Sequence, residues 1–288
     1  MLTLIQPFDY IDSFTNLDKE QSEHNCFLAM CGDLSENRLL HAYKRGIFPW
    51  YSVGEPILWW SPDPRMVMIP SEFRASKSLK KAVRKQNFSL SINQAFPDVI
   101  KACAEPRNDS AETWITNDMV TAYNKLHQLQ HAHSLEIWKD DELVGGLYGI
   151  AIGAVFYGES MFSLVDNASK AAYWALCHLL QTLDFDIIDC QVYSAHLASL
   201  GARQIARSEF EHIISASTDK ARQGLPGLKT TSLSAFLADS DYKSLIYSGY
   251  MPSQTEKLVF SSNRVNGRRI GKRLTPLPIG IMRSIASR

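Results

Sequence analysis

The sequence predicts a mixed α/β (α+β) fold in which a small N-terminal domain leads into a larger one. Three observations predict it. Residues 134–162 hold three β-rich runs, parted by Asp140-Asp141 and by a turn centred on Gly153, the pattern of an antiparallel meander. Ser169 to Leu183 then has helical periodicity, and Phe185 to Val192 reads as a buried strand. Ahead of both, three of the six tryptophans and four of the twelve prolines crowd into residues 46–65.

Residues 1–66 form the predicted small domain. Ser35 can cap a helix that runs to about Arg45 and stops at Gly46. The Trp/Pro segment follows, from Gly46-Ile47-Phe48-Pro49-Trp50-Tyr51 to Pro56-Ile57-Leu58-Trp59-Trp60-Ser61-Pro62-Asp63-Pro64-Arg65. Proline fixes φ and removes a donor, so this stretch is neither an ordinary helix nor a central strand. Two readings are open for its aromatics: a surface that receives something planar or apolar, or a plug in the seam between two domains.

Residues 67–227 form the predicted larger domain. Ser76 to Lys85 reads as a helix whose Lys77, Lys80, Lys81 and Arg84 recur at i, i+3, i+4 and i+7, four positive charges on one face. Such a face is either simply solvated or set against phosphates. Leu143 to Gly158 is sixteen residues without a charge. As a helix it would reach only about 24 Å, short of a bilayer core of about 30 Å. Its five glycines and many β-formers point to buried strands, so no membrane partner is expected. A further helix is predicted to begin near His196 or Ala198.

Residues 228–288 are read as a basic C-terminal extension after the break at Gly224, Pro226 and Gly227. The 288-residue chain has no net formal charge, but this tail carries +7 and the body −7. Its run Asn263 to Arg273 could touch RNA, or the tail could be disordered or a reading-frame artefact. The hydrophobic fraction of 45% and charged fraction of 21% are those of an ordinary globular protein. Five irregularly spaced cysteines indicate neither a disulfide framework nor a zinc site, and His24, Cys26, Cys31 and His41 read as scattered core and surface residues. No basic stretch followed by an apolar run marks the N-terminus as a signal peptide, so a cytoplasmic protein is expected.

Strand alternation places Ile187, Asp189 and Gln191 on one face and Ile188, Cys190 and Val192 on the other. A carboxylate beside a carboxamide can handle protons, or it can cap the next helix and bond backbone. By the same alternation Glu159 and Met161 share a face, and a glutamate in so apolar a run is costly to bury unpaired.

The Trp/Pro segment resembles the leucyl/phenylalanyl-tRNA–protein transferases, and the likeness recurs in order along roughly residues 30–215. It takes in Gly32-Asp33-Leu34-Ser35, Thr113-Trp114-Ile115-Thr116, His131-Ala132-His133-Ser134-Leu135-Glu136 and Leu143-Val144-Gly145-Gly146-Leu147-Tyr148-Gly149. It continues through Phe156 to Ser163, Asn167-Ala168-Ser169-Lys170, Ile188-Asp189-Cys190-Gln191 and His196 to Arg203. The resemblance implies a GNAT-like acyltransferase domain, which the order strands, helix, strand, helix also fits. It implies transfer of Leu, Phe and, less well, Met from aminoacyl-tRNA to proteins that begin with Arg or Lys, marking them for degradation, with no cofactor or metal.

Residue by residue, the resemblance maps Asp189 and Gln191 onto the family's proposed catalytic pair, in which Asp189 polarises Gln191 and the Gln191 carbonyl draws on the attacking amine. Glu159 would help hold the aminoacyl group or the amine. Phe156, Met161, Ile187 and Leu147 are candidates for the side-chain pocket, or plain core. Tyr43, Trp50, Trp114 and Tyr123 match aromatics that face the tRNA 3′ end, where stacking is worth about 1–3 kcal/mol per base. Their alternative is again core packing, above all for Tyr123. With a tRNA substrate, the Lys77/Lys80/Lys81/Arg84 face becomes a phosphate contact.

Three rival functions are weighed. A CoA-dependent N-acetyltransferase would share the fold, but Ser163 to Lys170 lacks the glycines of a pyrophosphate-binding turn. A cysteine hydrolase built on Cys190 and His196 is disfavoured because Cys190 points away from Asp189. A noncatalytic tRNA-binding protein accounts for the basic helix and the aromatics, but not for the Asp189/Gln191 pair.

Overall fold

The computed structural model describes residues 3–6, 14, 26–106, 113–221 and 224–238. The N-terminal layer is a four-stranded sheet. In it β1 (Thr3–Ile5) runs parallel to β2 (Phe27–Cys31), and β3 (Phe48–Pro49) and β4 (Leu58–Trp60) complete the order β1-β2-β4-β3. Helix α1 (Glu36–Lys44) joins β2 to β3. Ser35 occupies its N-cap position, but its hydroxyl makes no capping bond; Asp33 instead accepts the Ser35 N–H at 2.8 Å and holds Arg38 at 3.1 Å. Gly46 stops the helix with φ of 70°, and a Cβ there would sit 2.8 Å from the Phe210 ring. The position therefore needs glycine both for its backbone and for close packing.

The larger sheet has the order β11-β5-β10-β9-β8-β7-β6-β12. Its strands are β5 (Arg65–Met68), β6 (Ser89–Ile92), β7 (Ala132–Lys139), β8 (Glu142–Ile152), β9 (Val155–Ser163), β10 (Ile187–Gln191), β11 (Arg203–Ile205) and β12 (Leu228–Ser232). The predicted meander is β7-β8-β9, turned by Asp140 and Asp141 at positive φ and by Gly153 at 56°. β9 and β10 pair in parallel, which requires the crossover that α5 (Ala168–Thr182) supplies, and the short α6 (Ala195–Ala198) follows β10.

Helices cover both faces. Met68, Leu79, Val83, Leu147, Phe156, Met161, Ile188 and Cys190 form one core with α2 (Lys77–Gln86) and α5. On the other face Val67, Tyr148, Tyr157 and Ile187 pack with α3 (Phe96–Ala104), α4 (Asn117–Gln128), α7 (Arg207–Ser217) and the N-terminal layer. The tryptophans belong to that seam. Trp59 is fully buried, and Trp60 donates its indole N–H to the Trp50 carbonyl at 2.8 Å. The plug reading of the Trp/Pro segment is the one these contacts favour.

Two boundaries move. Arg65 and Met66, expected to end the small domain, already lie in the larger sheet as part of β5. Residues 228–232, expected to open the basic extension, pair with β6 as β12, and α8 (Leu233–Ala238) returns over the core, with Leu233 N–H on the Phe88 carbonyl at 3.0 Å. Apolar Leu228, Leu233 and Phe236 drive this docking, all buried within a tail that is polar by composition. The rest of that extension, Asn263 to Arg273 included, lies outside the described residues, as does His24.

Candidate active site

Glu159 is the point on which three elements converge. It is 2% exposed and accepts hydrogen bonds from Tyr43 Oη of α1 at 2.7 Å, Tyr123 Oη of α4 at 2.9 Å and Gln191 Nε2 at the end of β10 at 3.0 Å. Tyr43 Oη and Tyr123 Oη also lie against each other, either able to donate, so their two protons are shared among three contacts. Burial pushes the Glu159 carboxyl up from 4.5 to about 7; the two tyrosine hydroxyls pull it back, and nearby Asp189 adds a little more upward push. Both tyrosines are pushed well above their usual range by burial and by the carboxylate, so they stay as donors.

The local backbone explains how a glutamate reaches this position. Tyr148 pairs with Ser160 but Gly149 with Gly158, so Glu159 is the extra residue of a β-bulge. The bulge corrects the expectation that Glu159 and Met161 share a face. Met161 pairs with Leu147 and packs toward α5, while Glu159 looks toward α1 and α4.

The same parity divides the expected side-chain pocket. Phe156, Met161 and Leu147 lie in the α5-side core, whereas Ile187 lies on the opposite face with Asp189's neighbours. Phe156 pairs with Ile188, and alternation turns Ile187 the other way. All four are at most 3% exposed.

Asp189 is also buried, but its partner is not the Gln191 side chain. Arg65 of β5 grips it at two points, Nε to Oδ1 at 2.8 Å and Nη2 to Oδ2 at 2.6 Å. Asp189 Oδ1 also accepts the backbone N–H of Gln191 at 2.8 Å. The expected polarisation of the Gln191 carboxamide by Asp189 is therefore corrected: the carboxamide bonds Glu159, and Asp189 reaches Gln191 through the main chain. The pairing of β10 with β5 shifts register between Asp189 and Gln191, and Gln191 takes φ of 63°. β9 and β10 pair only from Val155/Ile187 to Tyr157/Asp189, so the node lies where parallel pairing ends.

Sequence reasoning gave Arg65 no role. A charge opening the apolar run Arg65-Met66-Val67-Met68 was the available signal, because a buried guanidinium demands a partner.

The remaining candidates separate. Tyr43 and Tyr123 are fully buried, which leaves no ring face for a base; stacking there is corrected to hydrogen bonding. Trp50 is 7% exposed and packs 6.0 Å from Trp60, while Trp114 is half-buried at the edge of the same core. Lys77, Lys80, Lys81 and Arg84 are all exposed on α2, whose Ser76 cap accepts the Leu79 N–H at 3.1 Å. Cys190 faces α5, bonds Tyr173 Oη at 3.3 Å and is pushed up to about 12 by burial, which unfits it as a nucleophile.

Two family models match the chain: the leucyl/phenylalanyl-tRNA protein transferase model over residues 67–215, and the model of that family's N-terminal domain over residues 32–63. The chain belongs to the leucyl/phenylalanyl-tRNA protein transferase family. Proteins of that name include one from Nitrosospira multiformis, 57% identical over 65% of this chain and 80% of that one. The Methylococcus capsulatus protein is 53% identical over 75% and 92%, and the Pseudomonas aeruginosa protein 49% identical over 78% and 98%. Among solved structures, L-PGS from Bacillus licheniformis superposes at a TM-score of 0.34 with 7% identity over 59% of this chain and 57% of that one, too slight a likeness to build on. The two family matches leave residues 64–66 between them, so Arg65, the first residue of β5, sits at their junction, where the layer carrying Tyr43 gives way to the sheet carrying Glu159.

Proposed function

We propose that this protein transfers leucine, phenylalanine and, less well, methionine from aminoacyl-tRNA to the N-terminal amine of proteins that begin with Arg or Lys. The transfer would take place in the cytoplasm and mark those proteins for degradation. Family membership supports the reaction class. The observation that carries the site is Glu159, held by Tyr43, Tyr123 and Gln191 where β9 and β10 stop pairing. That the sheet is GNAT-like is part of the same reading, supported by the order meander, crossover helix, parallel strand.

The chemistry asked of the site is mild. The donor ester is already activated, and an α-amine with a pKa of about 8 is partly neutral at working pH. Holding the two in attack geometry can supply roughly 7–11 kcal/mol. In this reading Gln191, its nitrogen tied to Glu159, presents its carbonyl to the incoming amine. Glu159, poised at about 7, anchors the amine or takes up its proton. The apolar wall for the donor side chain is assigned to Leu147, Phe156 and Met161, which pack on the α5 side of the sheet and would be reached where β9 and β10 stop pairing. One methylene there is worth about 1–3 kcal/mol, so leucine, phenylalanine and methionine are graded rather than strictly sorted. Half-buried Trp114 and the basic face of α2 are assigned to the tRNA.

The test mixes purified protein, tRNA charged with labelled leucine, and peptides that start with Arg, Lys or Ala. Label is expected on the Arg and Lys peptides alone. Label on none of them, with tRNA still bound, would leave a noncatalytic binder.

A further inference from the structure

We infer that Arg65 is a positioning residue for Gln191, and that Asp189 serves the site by fixing the Gln191 backbone rather than by touching the reacting atoms. This deepens the proposed function and rests on its assignment of Gln191 to the amine. Three observations meet here. The guanidinium is wholly buried and caged between Phe48 of β3, 5.0 Å from its carbon, and Phe210 of α7, 4.6 Å away. Its two-point grip occupies both carboxylate oxygens of Asp189, and Oδ1 takes the Gln191 N–H as well. Gln191 itself stands at φ of 63°, a region that non-glycine residues hold only where surrounding contacts over-determine it.

Read in sequence, the aromatic cage fixes the guanidinium, the guanidinium fixes the carboxylate plane, and the carboxylate fixes the Gln191 amide. The amide in turn aims the carboxamide, whose Nε2 then lies 3.0 Å from Glu159. Arg65 Nη1 has no hydrogen-bond partner among the described residues, so the polar hold of this side chain falls on Asp189. A carboxylate engaged in this way has little left with which to polarise a side chain. A buried ion pair is weak evidence of stabilisation in itself, since desolvating both charges offsets their attraction. Orientation of Gln191 is what this pair visibly accomplishes. Lysine keeps the charge but lacks the planar fork, so it cannot reproduce the two-point grip.

The test combines amide exchange with a kinetic cycle. Hydrogen exchange at the Gln191 amide is compared between the natural protein and Arg65→Lys, with β8 amides as internal reference. In parallel, kcat and KM for aminoacyl-tRNA are measured in Arg65→Lys, Gln191→Ala and the double variant. Exchange at Gln191 should speed up at least about 10-fold with β8 unchanged, as local rather than global opening requires. A misplacement of this kind should lower kcat by about 100-fold. KM should move less than about threefold, and the kcat loss should not add to that of Gln191→Ala. Unchanged exchange, or a kcat loss that adds in full, would overturn the inference. If Gln191→Ala keeps full activity, the assignment of Gln191 fails with it, and the exchange result still shows whether Arg65 holds that amide. Should Arg65→Lys not fold, Arg65→Met with Asp189→Leu replaces the pair by apolar groups; retained protection at Gln191 in that protein would equally sink the idea.

Discussion

Glu136 on β7 and Glu159 on β9 are both buried in the same sheet, yet they are wired differently. Glu136 accepts from Ser91 and Ser134 hydroxyls at 2.5 Å each, with the Gln94 and Ala95 amides at 3.5 Å. Every one of those partners comes from β6, β7 or the turn that opens α3. Glu159 draws its partners from α1, α4 and β10, which lie 116, 36 and 32 residues away along the chain. Burial raises both carboxyls, and hydroxyl donors pull both back. The difference is in what the bonds join. Glu136 ties neighbouring strands to a helix start, a structural staple. Glu159 joins the N-terminal layer, the helical layer and a residue held at a strained φ, which is the arrangement of a site whose parts must be brought together.

Removing each carboxylate separates the two roles most strongly. Glu159→Ala should lower transfer by about 10³-fold, within the range for loss of a positioned acid–base group. Glu136→Ala should keep kcat within a few-fold and lose about 1–3 kcal/mol of stability, the cost of buried hydroxyls left unpaired. Parallel measurements of kcat and thermal unfolding check both; equal activity losses would erase the distinction drawn here.

The pH dependence of stability gives the next largest effect. Glu159 titrates near 4.5 when unfolded and at about 7 when folded, so between those values the folded state binds the extra proton. Its contribution to stability is complete below about pH 4.5 and is lost as pH rises to about 7, by up to about 3 kcal/mol. Glu159→Gln removes this group from the titration. The stability difference between the natural protein and Glu159→Gln should therefore fall with rising pH across that window and be flat above it. A difference independent of pH would place the Glu159 titration elsewhere.

Much of this comparison was legible in the sequence. Turn residues Asp140, Asp141 and Gly153 marked the meander, and period-2 alternation set Asp189 and Cys190 on opposite faces. Glu159 stood out as a charge in an apolar run. The bulge around it did not, because one unpaired residue leaves no mark on hydrophobic pattern, and so plain alternation puts Glu159 and Met161 on one face. The Arg65–Asp189 pair spans 124 residues, a separation that no local spacing can reveal. β12 was missed because Leu228-Lys229-Thr230-Thr231-Ser232 is an edge strand with a single buried side chain, and carries almost no alternation to read.

The two faces of β10 supply a smaller test of the same contrast. The Asp189 face carries the node, and the Cys190 face carries a thiol that meets Tyr173 within the α5-side core. Cys190→Ser removes a thiol that does not ionise at working pH and keeps a group able to bond Tyr173. Transfer activity should stay within about twofold, and stability should fall by no more than about 1–2 kcal/mol for a small buried polar replacement. A loss of activity near that of Glu159→Ala would mean that the chemistry extends through the strand.

The smallest expected effect concerns the outer face of α2, where no acidic partner among the described residues interrupts the positive row and the alternative of mere solvation is strongest. Each phosphate contact releases counterions, so log affinity for nucleic acid falls with log salt at a slope set by the number of contacts. If Lys77, Lys80, Lys81 and Arg84 meet the tRNA backbone, Lys80→Ala should reduce that slope by about 1 and weaken binding equally for charged and uncharged tRNA. The node around Glu159 predicts the reverse pattern: Gln191→Ala should lower turnover and leave the salt slope alone. Titrating tRNA against both variants over a range of salt concentrations distinguishes holding from chemistry, and an unaltered slope in Lys80→Ala assigns its charge to solvent.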